Sequence, residues 1–376
     1  MVKPMKVLFA IDSLQQGGAE QSIAHIVRHF SKDTQVSILY FYPKADLLPT
    51  YQELGCSIIS LNLEVKYGFG KGISGMKKVL QEIKPDVVVT SLYRSNIMSR
   101  IACVLTGTKL VGTFVDDSYN EERRKTFTGL SGFIKYHSTW FLDRITSFIP
   151  CLWIANSKYI GESNAKHLGI PTSKIKVIYR GRNSDDFSEW KKPETDDFRF
   201  VCIGRLYEKK GYPELIQAFS IIAKKNSKVK LVIYGEGTYR PQMEKQILDV
   251  NLQGQIILAG NVPNAWQKMY EAHCFVFPSR FEGFSGALVE AMMTGIPIIS
   301  SDIPMNLEAV ENNKTALVHQ LKDVTNLADK MEEMISNYPS MIQMGQKARQ
   351  TAMKKFDIKN IAQKYEEVLV AVSNNK

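Results

Sequence analysis

The stretch 181-GRNSDDFSEWKKPETDDFRFVCIGRLYEKKGY-212 changes character halfway along. Residues 181–197 are polar, rich in turn formers and without a sustained apolar period, which marks a connecting segment. From Phe198 a continuous apolar run, FRFVCI, leads to Gly204, and Arg205 follows at once. A short apolar run bounded by turn signals fits a strand covered on both faces. Whether that strand opens a second domain or continues the first is decided by the sequence on either side.

Before the break, strand-like runs alternate with segments of helical length. The strand candidates are Lys6–Asp12, Gln35–Tyr42, Ser57–Asn62, Asp86–Ser91, Leu110–Val115, Trp153–Asn156 and Ile175–Tyr179, with helix-like stretches such as Ala19–Phe30 and Asn96–Thr106 between them. After the break the alternation restarts, with Phe198–Ile203, Val229–Tyr234, Gln255–Leu258, Cys274–Phe277, Pro297–Ser300 and Ala316–His319, and helix-like sequence from about Pro339 to Val372. Alternation of this kind builds βαβ units around parallel sheets. The chain therefore reads as α/β, two doubly wound Rossmann-like domains facing a central cleft. Residues 1–190 form the first, residues 191–355 the second, and a C-terminal helix over 356–376 could cross back to the first. A chain of 376 residues, 44% hydrophobic, is long enough for two cores. In open α/β sheets, ligands bind at the carboxyl ends of the strands, so the chemistry is sought in the loops that follow them.

Composition narrows the classes. The five cysteines, Cys56, Cys103, Cys151, Cys202 and Cys274, are scattered, without CxxC spacing, and read as buried thiols of a reducing cytoplasm. The opening MVKPMKVLFAID runs straight into a strand, with no secretory pattern. The apolar stretch Phe127–Ala155 is interrupted by Lys135, His137, Asp143 and Arg144, which argues against a membrane span. The net charge of +10 is uneven: residues 1–190 hold 24 Lys+Arg against 17 Asp+Glu, residues 191–376 hold 24 against 21. A diffuse basic surface can face anionic lipid or phosphorylated ligands, or can simply be solvated. No helix-turn-helix, RRM or zinc-finger spacing is present, so nucleic acid is not an expected partner.

Three loops could carry chemistry. DSLQQGGAEQSI places Gly17 and Gly18 at the mouth of a helix, where free N–H groups can attract phosphate or where the chain merely turns tightly. GRLYEKKG sets Arg205 directly after a strand and Lys210 before Gly211; a fixed guanidinium and a mobile ammonium suit a diphosphate, though a solvated loop reads the same. FVFPSRFEGFSGALVEAMMTG reads strand, glycine turn, helix, glycine stop. Its glutamates, Glu282 in the turn and Glu290 in the helix, are eight apart. A carboxylate inside ALVEAMM is costly to bury without a partner, and a sugar diol would serve as one.

At these residues the chain resembles the GT-B fold glycosyltransferases, specifically the large retaining family 4. The matching features are GGAE at 17–20, GRLYEKKG at 204–211, GEG at 235–237 and the E-x7-E pair within EGFSGALVEAMMTGIPIIS, in the family's order over almost the whole chain. The resemblance implies that Arg205 and Lys210 hold the donor diphosphate, Glu290 the ribose hydroxyls and Glu282 hydroxyls of the transferred sugar. It implies further that amides around Gly17, Gly18, Phe284, Ser285 and Gly286 cradle sugar and phosphate, with the loops at Gly235 and Val262 near the base. Two DD pairs, Asp116–Asp117 and Asp185–Asp186, could suggest a metal-dependent transferase, but the restarting two-domain pattern argues against it, and no obligatory metal and no cofactor are expected. Departures fall on the sugar and acceptor side: Val115 or Asp116 stands where related chains often carry a histidine, YRGRN at 179–183 replaces an asparagine–glycine turn, and Arg94 stands at an acceptor-side position.

The implied reaction moves a hexose from a nucleotide diphosphate sugar, UDP favoured and GDP the alternative, to a hydroxyl of a growing glycan or lipid-linked acceptor, with retention. Arg205, Lys210 and Glu282 would do the catalytic work, by charge stabilisation and positioning. Surface polysaccharide or glycoconjugate synthesis in the cytoplasm is the expected setting. The mixed apolar and basic stretch 127–153 is either a peripheral contact with anionic membrane at the inner face or an ordinary buried helix pair. The departures keep open a donor-binding partner protein without transferase activity.

Overall fold

The structure, a computed structural model, describes residues 4–64 and 68–374. Residues 1–3 of the opening stretch and 375–376 of the expected last helix lie outside the described residues. Two compact units result: residues 1–181 together with 358–376, and residues 182–357.

The first unit holds β1 (Met5–Ile11), β2 (Thr34–Tyr40), β3 (Ser57–Ser60), β4 (Val87–Ser91), β5 (Leu110–Phe114), β6 (Leu152–Ala155) and β7 (Ile175–Val177) in the spatial order β3-β2-β1-β4-β5-β6-β7. The second holds β8 (Phe198–Ile203), β9 (Val229–Tyr234), β10 (Ile256–Gly260), β11 (Cys274–Phe277), β12 (Ile298–Ser301) and β13 (Leu317–His319) in the order β10-β9-β8-β11-β12-β13. Both sheets are parallel at each of their pairings.

β1 explains why these strands are apolar without alternation. Val7, Phe9 and Ile11 face a cluster shared with Ile361, Tyr365 and Leu369 of the helix Ile358–Asn374, while Leu8 and Ala10 face a second cluster with Met76, Leu80 and Met98. Helices cover both faces, so each position is buried, and each large side chain contributes about 1.5–3 kcal/mol.

Two local features differ from the sequence pattern. The polar segment after Gly181 is not a free connector, because Phe187 and Trp190 are buried in the second unit. Phe187 packs on Trp266 at 4.5 Å, and Trp190 Nε1 donates to the Ala272 carbonyl at 3.0 Å. The helix-like stretch near the C-terminus is two helices, Tyr338–Lys355 and Ile358–Asn374, parted at Phe356–Asp357.

The cysteines correct one expectation. Cys103, Cys202 and Cys274 are buried and Cys56 is half-buried, but Cys151 is exposed, at the start of the loop end that feeds β6. Burial pushes the Cys103 and Cys202 thiols up to about 12, which suppresses the reactive thiolate. Iodoacetamide on the native protein, followed by peptide mass mapping, should label Cys151 first and leave Cys202 for the denatured chain. Early labelling of Cys202 would contradict the packing around β8.

Candidate active site

In the second unit, strand order reverses between β8 and β11, the point at which open α/β sheets place ligands. The loops after these two strands carry Arg205, Lys210 and Glu282. Their close approach requires Gly211. Its φ is +74°, and a Cβ there would stand 2.1 Å from the Pro278 carbonyl oxygen, a contact no side chain tolerates. The Arg280 amide donates to the Lys209 carbonyl at 2.9 Å, and the Arg280 guanidinium holds Glu214 at 2.7 Å.

Across this junction Lys210 Nζ meets Glu282 Oε1 at 2.5 Å. Both side chains are largely buried, 16% and 13% exposed. Ser279 Oγ also donates to Glu282 Oε1, at 2.6 Å. Behind it, Ser301 Oγ donates to the Ser279 carbonyl at 2.6 Å and Asn306 Nδ2 to Ser301 Oγ at 3.0 Å. Burial presses the Glu282 carboxyl upward, but the Lys210 charge and hydrogen bond, Ser279 and the Lys209 charge outweigh it, and the net shift is downward.

The helix Gly286–Thr294 follows. Ser285 is its N-cap, with Oγ accepting from the Leu288 amide at 3.3 Å. Phe284 turns its ring inward, 5.4 Å from Phe356. Four residues into the helix, Glu290 Oε1 accepts from Arg182 Nε at 2.6 Å. The partner that the buried position demands is thus a guanidinium supplied by the chain itself. Arg182 lies in the YRGRN departure, but nothing in the local pattern pairs it with a residue 108 positions on.

Arg205 is exposed, its guanidinium 5.3 Å over the Tyr207 ring, and makes no ion pair with Glu282 among the described residues. Gly235 and Val262 follow β9 and β10. The Gly235 amide donates to the Gly260 carbonyl at 2.8 Å, and Gly204 lies so near that a Cβ on Gly235 would stand 2.0 Å from its oxygen. Val262 is half-buried beyond the sheet-edge strand β10.

The remaining expected residues belong to the first unit. Gly18 opens the helix Gly18–Val27 with Gly17 at its N-cap, and the Arg180 guanidinium lies close enough that a Cβ on Gly18 would meet it at 3.3 Å. Asp12, at the carboxyl end of β1, is a residue that sequence reasoning passed over. It accepts from Arg94 Nε and from the Ser95 amide, each at 2.8 Å, while the Arg94 guanidinium covers the Tyr42 ring at 4.2 Å. Asp116 pairs with Arg123 at 3.2 Å on the surface.

Asp12, Arg94, Val115 and Asp116 border a pocket of about 370 Å³. Its floor includes Asn96 and Arg100, and Leu92 on its wall holds φ +74°. That conformation costs a non-glycine residue on the order of 1–3 kcal/mol. Asp117, the neighbour of Asp116, is engaged locally: it accepts from Ser163 Oγ at 2.7 Å and from the Tyr119 amide at 3.1 Å. Among the described residues no group of three His, Cys, Asp or Glu side chains is placed to hold a metal ion.

Two parallel α/β units with these strand orders define the GT-B class of transferase folds. The pattern of the glycosyl transferases group 1 matches residues 184–351, and that of glycosyltransferase family 4 matches residues 16–186. The chain belongs to the GT-B glycosyl transferases of group 1. Anabaena HepE in complex with UDP shares the fold at TM-score 0.82 with 19% identity, over 98% of this chain and 100% of that one. An uncharacterized glycosyltransferase of Methanocaldococcus jannaschii is 28% identical over 238 residues, 60% of this chain and 57% of that protein. The UDP-Gal:alpha-D-GlcNAc-diphosphoundecaprenol alpha-1,3-galactosyltransferase of Escherichia coli is 25% identical over 326 residues, 81% of this chain and 80% of that protein. Other curated relatives are matched over only 33% and 36% of their own lengths.

The Lys210–Glu282 pair makes a sign-definite prediction. A carboxyl depressed by folding stabilises the protein above its unfolded pKa, and that contribution is lost as pH falls through the folded value. Glu282→Gln should therefore lower Tm most near pH 7, and the gap to wild type should close as pH drops below about 4.3, the unperturbed glutamate value. Lys210→Met leaves the carboxylate unpaired and should cost on the order of 3 kcal/mol in denaturant unfolding at neutral pH. A pH-independent gap for Glu282→Gln would refute the pairing.

Proposed function

We propose that the protein is a retaining glycosyltransferase that moves a hexose from a nucleotide diphosphate sugar, a UDP-sugar in preference to a GDP-sugar, to a hydroxyl of a growing glycan. The observation that carries this reading is the junction of the β8 and β11 loops. It sets the paired Lys210 and Glu282 beside the N-terminus of the helix that bears Glu290, with Arg205 at the strand end. A leaving nucleoside diphosphate gathers negative charge as the glycosidic bond opens. Arg205, Lys210 and the amides from Phe284 to Gly286 supply preorganised positive potential for it. Glu282 positions sugar hydroxyls and Glu290 takes the ribose. Gly17 and Gly18 are assigned to sugar and phosphate contacts, Gly235 and Val262 to the base.

No protein nucleophile is assigned. In same-face displacement a leaving-group oxygen takes the acceptor proton as the acceptor oxygen bonds to the anomeric carbon. No metal is assigned either, because the diphosphate charge has protein cations to meet it. EDTA should leave turnover unchanged, and restoration of a chelated activity by magnesium or manganese would refute this.

The pocket beside Asp12, Arg94 and Asp116 is assigned to the acceptor. The E. coli relative's named acceptor is a diphosphoundecaprenol glycan, which supports a lipid-linked acceptor and a place in surface polysaccharide or glycoconjugate synthesis. The helix Gly129–Thr146 supports a peripheral contact with anionic membrane at the cytoplasmic inner face. Leu130, Phe133, Ile134, Phe141 and Ile145 are each more than half exposed along it, flanked by Arg124, Lys125 and Lys135. Such a face suits the lipid–water boundary. Among the described residues no helix is long and apolar enough to cross a membrane. Flotation with phosphatidylglycerol vesicles should carry the protein upward at low salt and release it at high salt. Phe133→Glu/Ile134→Glu should abolish flotation, and flotation unchanged by that variant would remove the membrane assignment.

A thermal-shift panel of UDP, GDP and ADP with their common sugars tests the donor assignment. One nucleotide at a hundredfold excess over its Kd should stabilise the protein by about 2.7 kcal/mol. Lys210→Ala and Arg205→Ala should each cut transfer by about two orders of magnitude. Stabilisation by a nucleotide with no donor turnover on any acceptor would favour the donor-binding partner reading.

A further inference from the structure

Arg182 is assigned no part in the donor site by the family pattern, yet its side chain occupies the middle of it. Arg182 Nε donates to Glu290 Oε1 at 2.6 Å, with 12% and 16% of the two side chains exposed. The guanidinium also lies against Gly286. A Cβ there would stand 2.0 Å from one terminal nitrogen of Arg182 and 3.0 Å from its central carbon. Residue 286 must therefore be a glycine for Arg182 to lie where it does.

The arginine is held in place from behind. Its amide donates to the Phe356 carbonyl at 2.9 Å, and it forms an isolated bridge to Asp357. Phe356 is the ring on which Phe284 packs, two residues before Gly286. One corner of the second unit thus fixes both the base of Arg182 and the turn before the helix.

Two sources of positive potential meet at this turn. The start of the helix Gly286–Thr294 contributes roughly half a positive charge, and the terminal nitrogens of Arg182 lie against Gly286. A diphosphate assigned to the Gly286 turn would lie within reach of both.

We propose that Arg182 is a further donor-site residue, one that holds Glu290 toward the ribose through Nε and takes a phosphate of the nucleoside diphosphate through its terminal nitrogens. This rests on the assignment of the donor to the second unit. It makes Arg182 a positioning residue for Glu290 and a direct ligand of the diphosphate. It also gives the YRGRN departure a purpose at the donor site instead of the acceptor side.

The test titrates the full-length protein with UDP (or whichever of UDP, GDP and ADP stabilises the wild type) and, at millimolar concentration, with the matching nucleoside. Arg182→Ala should weaken diphosphate binding by about tenfold to a hundredfold, the effect of losing a charge-assisted contact, with a much smaller change for the nucleoside. Arg182→Lys should recover part of the loss. Gly286→Ala should weaken the diphosphate in the wild-type background and add little in Arg182→Ala, because a Cβ at 286 acts by evicting the guanidinium. Arg182→Gln, which keeps a hydrogen bond to Glu290 but no charge, covers the case in which the alanine variant fails to fold; it too should lose diphosphate affinity. Unchanged diphosphate affinity in folded Arg182→Gln and Arg182→Ala overturns the proposal. So does tighter binding, which would make Arg182 a plug that the donor must displace. Equal loss for nucleoside and diphosphate reduces Arg182 to a support for Glu290 and also overturns it. A wild type that binds none of the three diphosphates defeats the donor assignment itself, a result distinct from all of these.

Discussion

Every strand pairing in the two sheets is parallel, and from that constraint the location of the chemistry follows. A parallel strand must be followed by a crossover, the crossover helix must cover the sheet, and the strand must then be apolar on both faces. All carboxyl ends therefore gather on one edge of each sheet. Where the order reverses, at β8 and β11 in the second unit and at β1 and β4 in the first, the outgoing loops diverge and leave room. Lys210 with Glu282, and Asp12 with Arg94, sit at those two places.

Ion pairing then turns separate loops into one object. An exposed pair such as Lys314–Glu311 is screened by solvent and adds little to stability. The pairs at the candidate site are different, because each links residues distant in sequence and largely shielded from water. Their net contribution to stability is small, since desolvation offsets attraction. Loss of one partner is expensive, however, because the other charge is stranded. Such pairs fix geometry more than they add stability, which is what a site for a charged, flexible ligand needs.

Much of this was legible in the sequence for a physical reason. Burial on both faces leaves continuous apolar runs, so the thirteen strands stand close to where periodicity places them, and the loop residues Arg205, Lys210 and Glu282 could be picked out by position after a strand. Pairing was not legible. Glu290 in ALVEAMM announces that it needs a partner, but Arg182 lies 108 residues away and is brought there by a corner built from Phe284 and Phe356. Asp12 looks like any strand-ending acid until the helix Tyr93–Thr106 delivers Arg94 and the Ser95 amide to it. The anchoring of 182–190 was hidden for a related reason: two aromatic residues, Phe187 and Trp190, suffice to bury a segment that is polar on average.

The helix Gly129–Thr146 shows the same limit in sharper form, because its amphipathicity is inverted. Its buried residues are Asp143 and Thr146, whereas Leu130, Phe133, Ile134, Phe141 and Ile145 are exposed. The inward face is polar because it serves Arg100, itself 1% exposed. Arg100 donates to Asp143 Oδ1 at 2.6 Å and Thr146 Oγ1 at 2.9 Å, and it lies 4.8 Å over the Trp153 ring. Tyr119 completes the cluster by donating to Asp143 Oδ2 at 2.5 Å. A buried arginine needs that carboxylate, so the helix cannot rotate to bring its apolar stripe inward without stranding a charge, at a cost of several kcal/mol. Solvation of the stripe is thus tied to the Arg100–Asp143 pair at the core. The same helix also walls the first unit's pocket through Lys135, Tyr136 and Asp143, so the exposed apolar stripe and the pocket are carried by one element.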